Sequence, residues 1–347
     1  MLNTVVIGAT GYAGAELVSL LLRHPSTTPA ALMGSSRTAD EDRDLADLHP
    51  RFRGGPPLPV RPLDLDAVLA LEPDAVFLAT PHEASVEHGG WLHDRGVRVL
   101  DLSAAFRLDS AAAYRRHYGF EHTRPDLLET AVYGLADLNA PKIRDASLVA
   151  VPGCYPTSML LPVRPLVDAG LIDPADPVIV DSTSGVSGAG RAARPHTSFC
   201  EVSLQAYGAF DHRHQPEMAR HGGVDVLFTP HLGAFDRGIL STIHLRLAAG
   251  TNETDVRTTL STAYADRPGV NLLPAGTWPS VAAVRGTNRC DLGLVVDASH
   301  GRLMISSAID NLVKGAAGQA VQCLNLTCGL PVDLGLIPDT PALAVAP

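Results

Sequence analysis

The segment Val151-Pro152-Gly153-Cys154-Tyr155-Pro156-Thr157 sets a cysteine between an apolar stretch and the start of a helix expected to run from Thr157. Unpaired N–H groups and the positive end of a helix dipole at such a place stabilise a thiolate and, later, an oxyanion. A cysteine packed in a core is the alternative for any thiol. A glycine and two prolines, however, fix a turn rather than fill a core, so Cys154 is the candidate nucleophile. Cys200, Cys290, Cys323 and Cys328 have no such setting and read as packing residues. A thiolate needs a group that moves protons near neutrality, and histidine is the side chain suited to it. His212-Arg213-His214-Gln215-Pro216-Glu217 is the richest candidate. On a strand both histidines would share one face, which also suits a metal pair. No third ligand is evident in the sequence, so a catalytic or substrate role is expected, with ordinary surface histidines as the alternative.

A second chemistry is suggested by Gly8-Ala9-Thr10-Gly11-Tyr12-Ala13-Gly14, which separates a β-branched run from a helical pattern. A tight turn with close backbone approach lets a pyrophosphate rest on a helix N-terminus, so Gly8, Thr10, Gly11, Tyr12, Ala13 and Gly14 are candidate cofactor residues. The spacing is GxxGxxG rather than GxGxxG, and a plain structural turn is the alternative. About twenty residues on, where an NAD binder presents a carboxylate to the ribose, stand Ser35, Ser36 and Arg37. Two hydroxyls and a guanidinium can bond a 2′-phosphate that a carboxylate repels, so NADP(H) is favoured over NAD, unless Arg37 is simply a solvated loop residue. The loop Ser182 to Arg191 offers Ser187, Gly188 and Arg191 to a substrate anion or phosphate, and Ser184 to the cofactor, or it is a flexible connector. Arg107 follows another apolar strand, at the sheet edge where open α/β folds bind ligands, and is either an anion-binding group or a salt-bridged surface arginine.

The elements that must position these residues follow from periodicity. Asn3 to Ile7, Ala30 to Met33, Ala75 to Ala79 and Val97 to Leu102 are short apolar runs, with helical patterns at Tyr12 to His24 and Ala84 to Arg95. Such runs suit a parallel sheet buried on both faces, so the first part reads as a Rossmann-type doubly wound α/β unit. Gly54, Gly55, Pro56, Pro57 and Pro59 punctuate it as a surface loop. Beyond Val151 come longer β-like stretches, Val178 to Asp181, Val224 to Thr229, Ile239 to Leu247, Leu292 to Asp297 and Arg302 to Ser306, with few helical segments between them. They suit a second α+β domain on a mostly antiparallel sheet. Asn311 to Leu324 turns helical again, with Leu312, Ala316, Ala320 and Leu324 along one face, and is expected to pack back on the first unit. The division expected is 1–151 plus 311–347 for the cofactor domain and 152–310 for the catalytic domain. The tail Pro338 to Pro347 is expected to fray.

The whole chain bounds these readings. Its 347 residues suggest two domains, and 46% hydrophobic with 18% charged residues exclude disorder and a charge-laced coiled coil. With 27 basic against 37 acidic residues the net charge is −10, and no run of like charge supplies a basic patch, so no nucleic-acid or anionic-membrane partner is expected. No apolar run approaches the length of a membrane span, and no basic residue precedes Arg23 as a secretory signal requires. Five scattered cysteines without a CxxC pair argue against a disulfide framework and for a reducing cytoplasm.

The glycine turn, Pro152 to Thr157, Ser184 to Arg191, His212 to Glu217 and Asp310-Asn311-Leu312-Val313-Lys314-Gly315-Ala316-Ala317 together closely resemble the N-acetyl-γ-glutamyl-phosphate reductase family of arginine biosynthesis, over residues 1 to about 328. The wider aspartate-semialdehyde dehydrogenase-like group shares the fold and the cysteine but not these flanking residues. The resemblance implies that Cys154 is the nucleophile and that His212, His214 and Glu217 lie in the active site, with His212 the preferred general acid/base. It implies NADPH held by Gly11, Tyr12, Ala13, Gly14 and Asn311. It further implies a small-molecule acyl phosphate substrate reduced through a Cys154 thioester, with no metal, and a homo-oligomer, dimer or tetramer, formed through the second domain. Two rivals remain at this point. One is a reductase of a different acyl phosphate; the other is an NADP(H)-sensing regulator in which Cys154 is a redox switch.

Overall fold

A computed structural model describes residues 1–34 and 43–336. Ser35, Ser36, Arg37 and the tail 338–347, of which expectations were stated, lie outside the described residues. The uncharged β-branched run at the start forms β1 (Leu2–Ile7), followed by a first helix, Tyr12–Leu21, and β2 (Thr27–Met33). Six further strands complete the first sheet: β3 (Arg43–Asp44), β4 (Pro59–Arg61), β5 (Ala75–Leu78), β6 (Val99–Asp101), β7 (Val132–Tyr133) and β8 (Leu148–Ala150). Their order is β3-β4-β2-β1-β5-β6-β8-β7, parallel throughout except β3 against β4. The chain leaves β1 toward β2 on one side and returns as β5 on the other. This is the topological switch point at which doubly wound sheets open a ligand crevice, and the glycine turn sits in it. Residues 53–57 are exposed as a loop, and only Pro59 belongs to a strand.

The second sheet is built from β9 (Val178–Ser184), β10 (Gln205–Ala206), β11 (Val226–Leu232), β12 (Ile239–Arg246), β13 (Val270–Leu272), β14 (Cys290–Asp297) and β15 (Arg302–Ile309). Its order is β10-β11-β9-β12-β15-β14-β13, with β9/β11 and β13/β14 parallel and the other pairs antiparallel. Strict alternation along β12, where Ile239, Ser241, Ile243 and Leu245 are buried and His244 and Arg246 exposed, gives the sheet one core face and one open face. The core face is filled by helices Cys154–Asp168, His214–Gly222 and Glu253–Ala263. The sequence pattern missed the last two because their apolar positions are few: Met218 in one, and Val256 and Leu260 in the other.

Three further expectations are corrected. The cysteine helix begins at Cys154, not Thr157, because Pro156 occupies one of the first-turn positions whose N–H has no helical acceptor in any case. Cys200 is exposed and not a packing residue; Cys290 and Cys323 are buried, and Cys328 is half-buried. The stretch after β15 does not present one continuous helical face. Val313–Ala317 is a π-turn, with the Gly315 and Ala317 N–H groups donating to the Asp310 and Leu312 carbonyls, and an α-helix, Gly318–Thr327, follows it. The extra residue per turn rotates the face, so Ala320 and Leu324 enter the first core whereas Leu312 and Ala316 look into a cavity.

This returning segment is fastened in the interior. Lys314 Nζ, fully buried, donates to Asp137 Oδ2 at 2.6 Å and to Gln322 Oε1 at 3.1 Å. Removing one member of a buried pair strands the other charge, so Lys314→Met is expected to lower stability by about 3–5 kcal/mol. A urea titration checks this; an unchanged midpoint would show that Asp137 finds other partners.

Candidate active site

Glu217, in the helix His214–Gly222, is fully buried and holds the site from beneath. Its Oε1 accepts from the Gly153 N–H at 2.8 Å and from the Tyr133 hydroxyl at 2.7 Å, while Oε2 faces Arg107 Nη1 at 3.2 Å. Arg107 is salt-bridged but not at the surface, since it is 5% exposed; its Nε donates to Val151 O and its Nη2 to Leu102 O, both at 2.8 Å. Glu217 and Arg107 therefore fix the backbone on either side of Pro152 and aim the start of the cysteine helix. Glu217 lines neither of the cavities described below. Tyr133 is stacked on His221 with centroids 3.4 Å apart, and His221 Nε2 donates to Arg107 O at 2.9 Å. Neither Tyr133 nor His221 carries a sequence signal, because a stacked ring under a site looks like any core aromatic.

Cys154 stands where two cavities meet. One, of about 1150 Å³, is lined by Tyr118, Tyr155, Ser184, Tyr207, His212 and their neighbours; the other, of about 300 Å³, by Gly11, Tyr12, Ala13, Gly14, Ser187 and Asn311 among others. His82, Cys154, Gly188, Gly190, Arg213 and His214 line both. A methyl group on Gly315 would lie 2.7 Å from Cys154 Cβ, so the π-turn can pass the nucleophile only as glycine. Gly153 is equally constrained, since a Cβ there would lie 2.7 Å from His214 Nε2. His214 thus sits against the nucleophile's neighbour. His212 stands behind it, with ring centroids 4.9 Å apart, and accepts from the His214 N–H on Nδ1 at 3.1 Å. The two histidines lie across a turn and a helix start, not on a strand, and both line the larger cavity with Cys154. Among the described residues no three metal-ligating side chains gather.

The electrostatics are those of a dry site. Burial pushes the Cys154 thiol up to about 11, outweighing the Tyr155 N–H and the Arg107 charge that favour the thiolate. Burial, helped by Arg213, pushes His212 down to about 4, and burial with His212 and Arg107 close by takes His214 well below its ordinary range. A neutral thiol therefore faces neutral imidazoles, and the helix terminus alone does not ionise the sulfur.

The glycine turn fits a bound pyrophosphate. Gly8 has φ +88°, and a Cβ there would strike the Ala79 carbonyl oxygen, while one on Gly14 would strike the Gly8 carbonyl oxygen, so both glycines are required by the fold. Gly11 is different: the nearest protein atom to its missing Cβ is 3.7 Å away, which leaves room for a ligand at the N-cap of the first helix. The N–H groups of Tyr12, Ala13 and Gly14 have no backbone acceptor among the described residues. Thr10 uses its carbonyl to accept from His49 Nε2 at 2.9 Å. Asn311 reaches this cavity but also ties the Ser182 to Arg191 loop: its Oδ1 accepts from the Gly238 N–H at 2.7 Å and its Nδ2 donates to Ser187 Oγ at 3.0 Å. Ser184 lines the larger cavity, not the one at the glycine turn, whereas Arg191 borders the smaller one. His82, absent from the sequence-level candidates, opens the helix His82–His93 beyond the end of β5; the signal available was its place at the carboxyl edge of the sheet.

A Rossmann-type sheet, a second mostly antiparallel sheet and a cysteine at a helix start between them define a nicotinamide-dependent oxidoreductase of the semialdehyde dehydrogenase class. Residues 3–146 match the family described as "Semialdehyde dehydrogenase, NAD binding domain", and residues 154–311 match "Semialdehyde dehydrogenase, dimerisation domain". The N-acetyl-gamma-glutamyl-phosphate reductases of Salmonella typhi and Escherichia coli K12 are 49% and 48% identical over 337 residues, covering 97% of this chain and all of theirs. The chain belongs to the N-acetyl-γ-glutamyl-phosphate reductase family. Among solved structures, aspartate semialdehyde dehydrogenase II of Vibrio cholerae, complexed with ASA, shares the fold at a TM-score of 0.72 and 19% identity, over 95% of this chain and 98% of that one. The NADP-bound aspartate semialdehyde dehydrogenase of Candida albicans does so at 0.71 and 16%, over 94% and 98%.

Below its pKa the thiolate fraction grows tenfold per pH unit, so alkylation of Cys154 by iodoacetamide in the ligand-free protein is expected to accelerate about tenfold per unit between pH 7 and 9. Peptide mass spectrometry must follow Cys154 itself, because Cys200 is exposed and Cys328 half-buried. A plateau below pH 8 would mean that the thiolate is already formed at neutrality.

Proposed function

We infer that the chain reduces N-acetyl-L-glutamyl 5-phosphate to N-acetyl-L-glutamate 5-semialdehyde and phosphate, in arginine biosynthesis, with NADPH as reductant. The observation that carries this reading is the place of Cys154, at the meeting of a cleft on the glycine turn with a larger cavity. Family membership names the acyl group.

The steps follow from the site. The acyl phosphate carbonyl lies against Cys154 in the larger cavity. As the sulfur attacks, its proton passes to the neutral imidazole of His214, the ring nearest the Gly153–Cys154 backbone. A C–S bond forms, the C–O bond to phosphate breaks, and phosphate departs, leaving a thioester. N–H groups at the start of the cysteine helix, with no backbone acceptor among the described residues, are available to the oxyanion once the sulfur no longer uses them. The glycine turn and the first helix N-terminus would hold the pyrophosphate of a nicotinamide cofactor, which when bound would supply the hydride that reduces the thioester carbonyl. The thiohemiacetal then collapses to the aldehyde, and the departing sulfur recovers its proton from His214. Glu217 and Arg107 move no proton; they keep Cys154 and His214 in register. The choice of NADP over NAD rests on Ser35, Ser36 and Arg37.

The expected division is 1–151 plus 311–347 for the cofactor and 152–310 for catalysis. The open face of the second sheet, with Ile179 and Val295 each more than 40% exposed beside Arg246 and Met304, packs on a second copy of the chain. No described helix is long and apolar enough to cross a membrane, and the unpaired thiols suit a reducing cytoplasm.

Purified protein mixed with N-acetyl-L-glutamate 5-semialdehyde, NADP and phosphate is expected to form NADPH, read by absorbance, only when phosphate is present. Cys154→Ser should lose at least about a thousandfold in rate while still binding NADP. A flat trace from folded, NADP-binding protein would redirect the reading to another acyl phosphate. Light scattering is expected to give at least twice the chain mass, with Ile179→Arg shifting it toward one; a wild-type monomer would reject the sheet interface.

A further inference from the structure

Two side chains that the reaction scheme leaves unused meet at the junction of the cavities. His82 Nδ1 accepts from the Ala104 N–H at 3.1 Å, so the neutral ring carries its proton on Nε2. That Nε2 lies 3.0 Å from Arg213 Nη1, and a guanidinium has no acceptor. Two donors therefore face each other at hydrogen-bond distance with nothing between them to receive either. Charging the ring is no escape, because a proton on Nδ1 would break the bond from Ala104. The surroundings oppose it as well: burial, together with Arg213 and Arg107, pushes His82 down to about 3. The Tyr118 ring packs edge-on against His82 with centroids 5.2 Å apart, and its hydroxyl donates to the Arg213 carbonyl at 3.3 Å.

Two donors that converge on one point are satisfied together by an oxygen bearing negative charge. We propose that His82 Nε2–H and the Arg213 guanidinium form a two-donor clamp for an anionic oxygen of the substrate, either its phosphoryl group or its free carboxylate. The clamp lies at the junction of the two cavities that Cys154 also lines, so an anion held there shares that junction with the sulfur. Glu83, Asp211 and Arg194 line the larger cavity as well, so the seat is defined by the convergence of the His82 and Arg213 donors and not by the net charge of the wall. This proposal rests on the acyl phosphate reading for the identity of its ligand, and on the geometry alone for the existence of the seat.

Titration calorimetry with inorganic phosphate and, separately, with N-acetyl-L-glutamate tests it on the whole protein without turnover. At least one of the two anions is expected to bind wild type and to lose about tenfold or more in affinity in both His82→Phe and Arg213→Met, as befits a charge-assisted bond. His82→Gln, whose amide restores a donor near the Nε2 position, should recover most of that loss. Circular dichroism and NADP binding verify that the variants are folded. A loss confined to phosphate assigns the clamp to the phosphoryl end, and one confined to N-acetyl-L-glutamate assigns it to the carboxylate end. Equal affinity of wild type and His82→Phe for both anions overturns the clamp, as does failure of both anions to bind wild type, or a loss that His82→Gln does not repair. The NADPH assay is independent of these outcomes, so a protein that binds an anion through His82 yet forms no NADPH keeps the clamp and loses the proposed reaction.

Discussion

The carboxylate of Glu217 is the interaction on which the site depends. It is fully buried, and it meets three donors from three different parts of the chain: the Gly153 N–H, the Tyr133 hydroxyl and the Arg107 guanidinium. A buried carboxylate is tolerable only when its oxygens are met in this way, and each donor gained is also a segment fixed in place. Gly153 leads into the cysteine, Arg107 grips the backbone at Val151 and Leu102, and Glu217 belongs to the same helix that opens with His214. One side chain thereby sets Cys154, His214 and the sheet edge in a common frame.

The segment after β15 closes that frame from the other side. Asp310 accepts from the Leu312 and Val313 N–H groups on one oxygen and from Arg237 Nε on the other, and Arg237 in turn reaches Glu16 on the first helix. The π-turn that follows brings Gly315 against Cys154 and turns Leu312 and Ala316 toward the cavity at the glycine turn. A regular α-helix would have kept those two residues on the face that carries Ala320 and Leu324 into the core. The cost of an irregular turn is borne where the nucleophile must be approached closely, which is the usual place for π-turns.

Charge at the site is arranged in an unusual order: the cations are permanent and the titratable groups are neutral. Arg107 and Arg213 keep their charge, while burial holds Cys154 protonated and His82, His212 and His214 deprotonated. A neutral thiol beside a neutral imidazole suits a reaction whose substrate is itself an anion, since the positive field is available to the ligand and is not consumed by a resting thiolate.

Local chemistry was legible in the residues. Glycine and proline around Cys154 announce a turn, the apolar runs announce a parallel sheet, and GxxGxxG between strand and helix announces a backbone that a ligand can approach, because each depends only on neighbours in the chain. The motifs taken together also pointed to the family. The distribution of roles was not legible. That Glu217 supports from below, that His214 packs against Gly153, that Gly315 must lack a side chain and that His82 opposes Arg213 are consequences of residues far apart in the chain meeting in space. Sequence spacing carries information about which face of an element a side chain takes. Which atom it meets there is decided by how the two sheets and the returning segment pack, and that packing settles burial, pKa and the choice between binding a ligand and holding another residue in place.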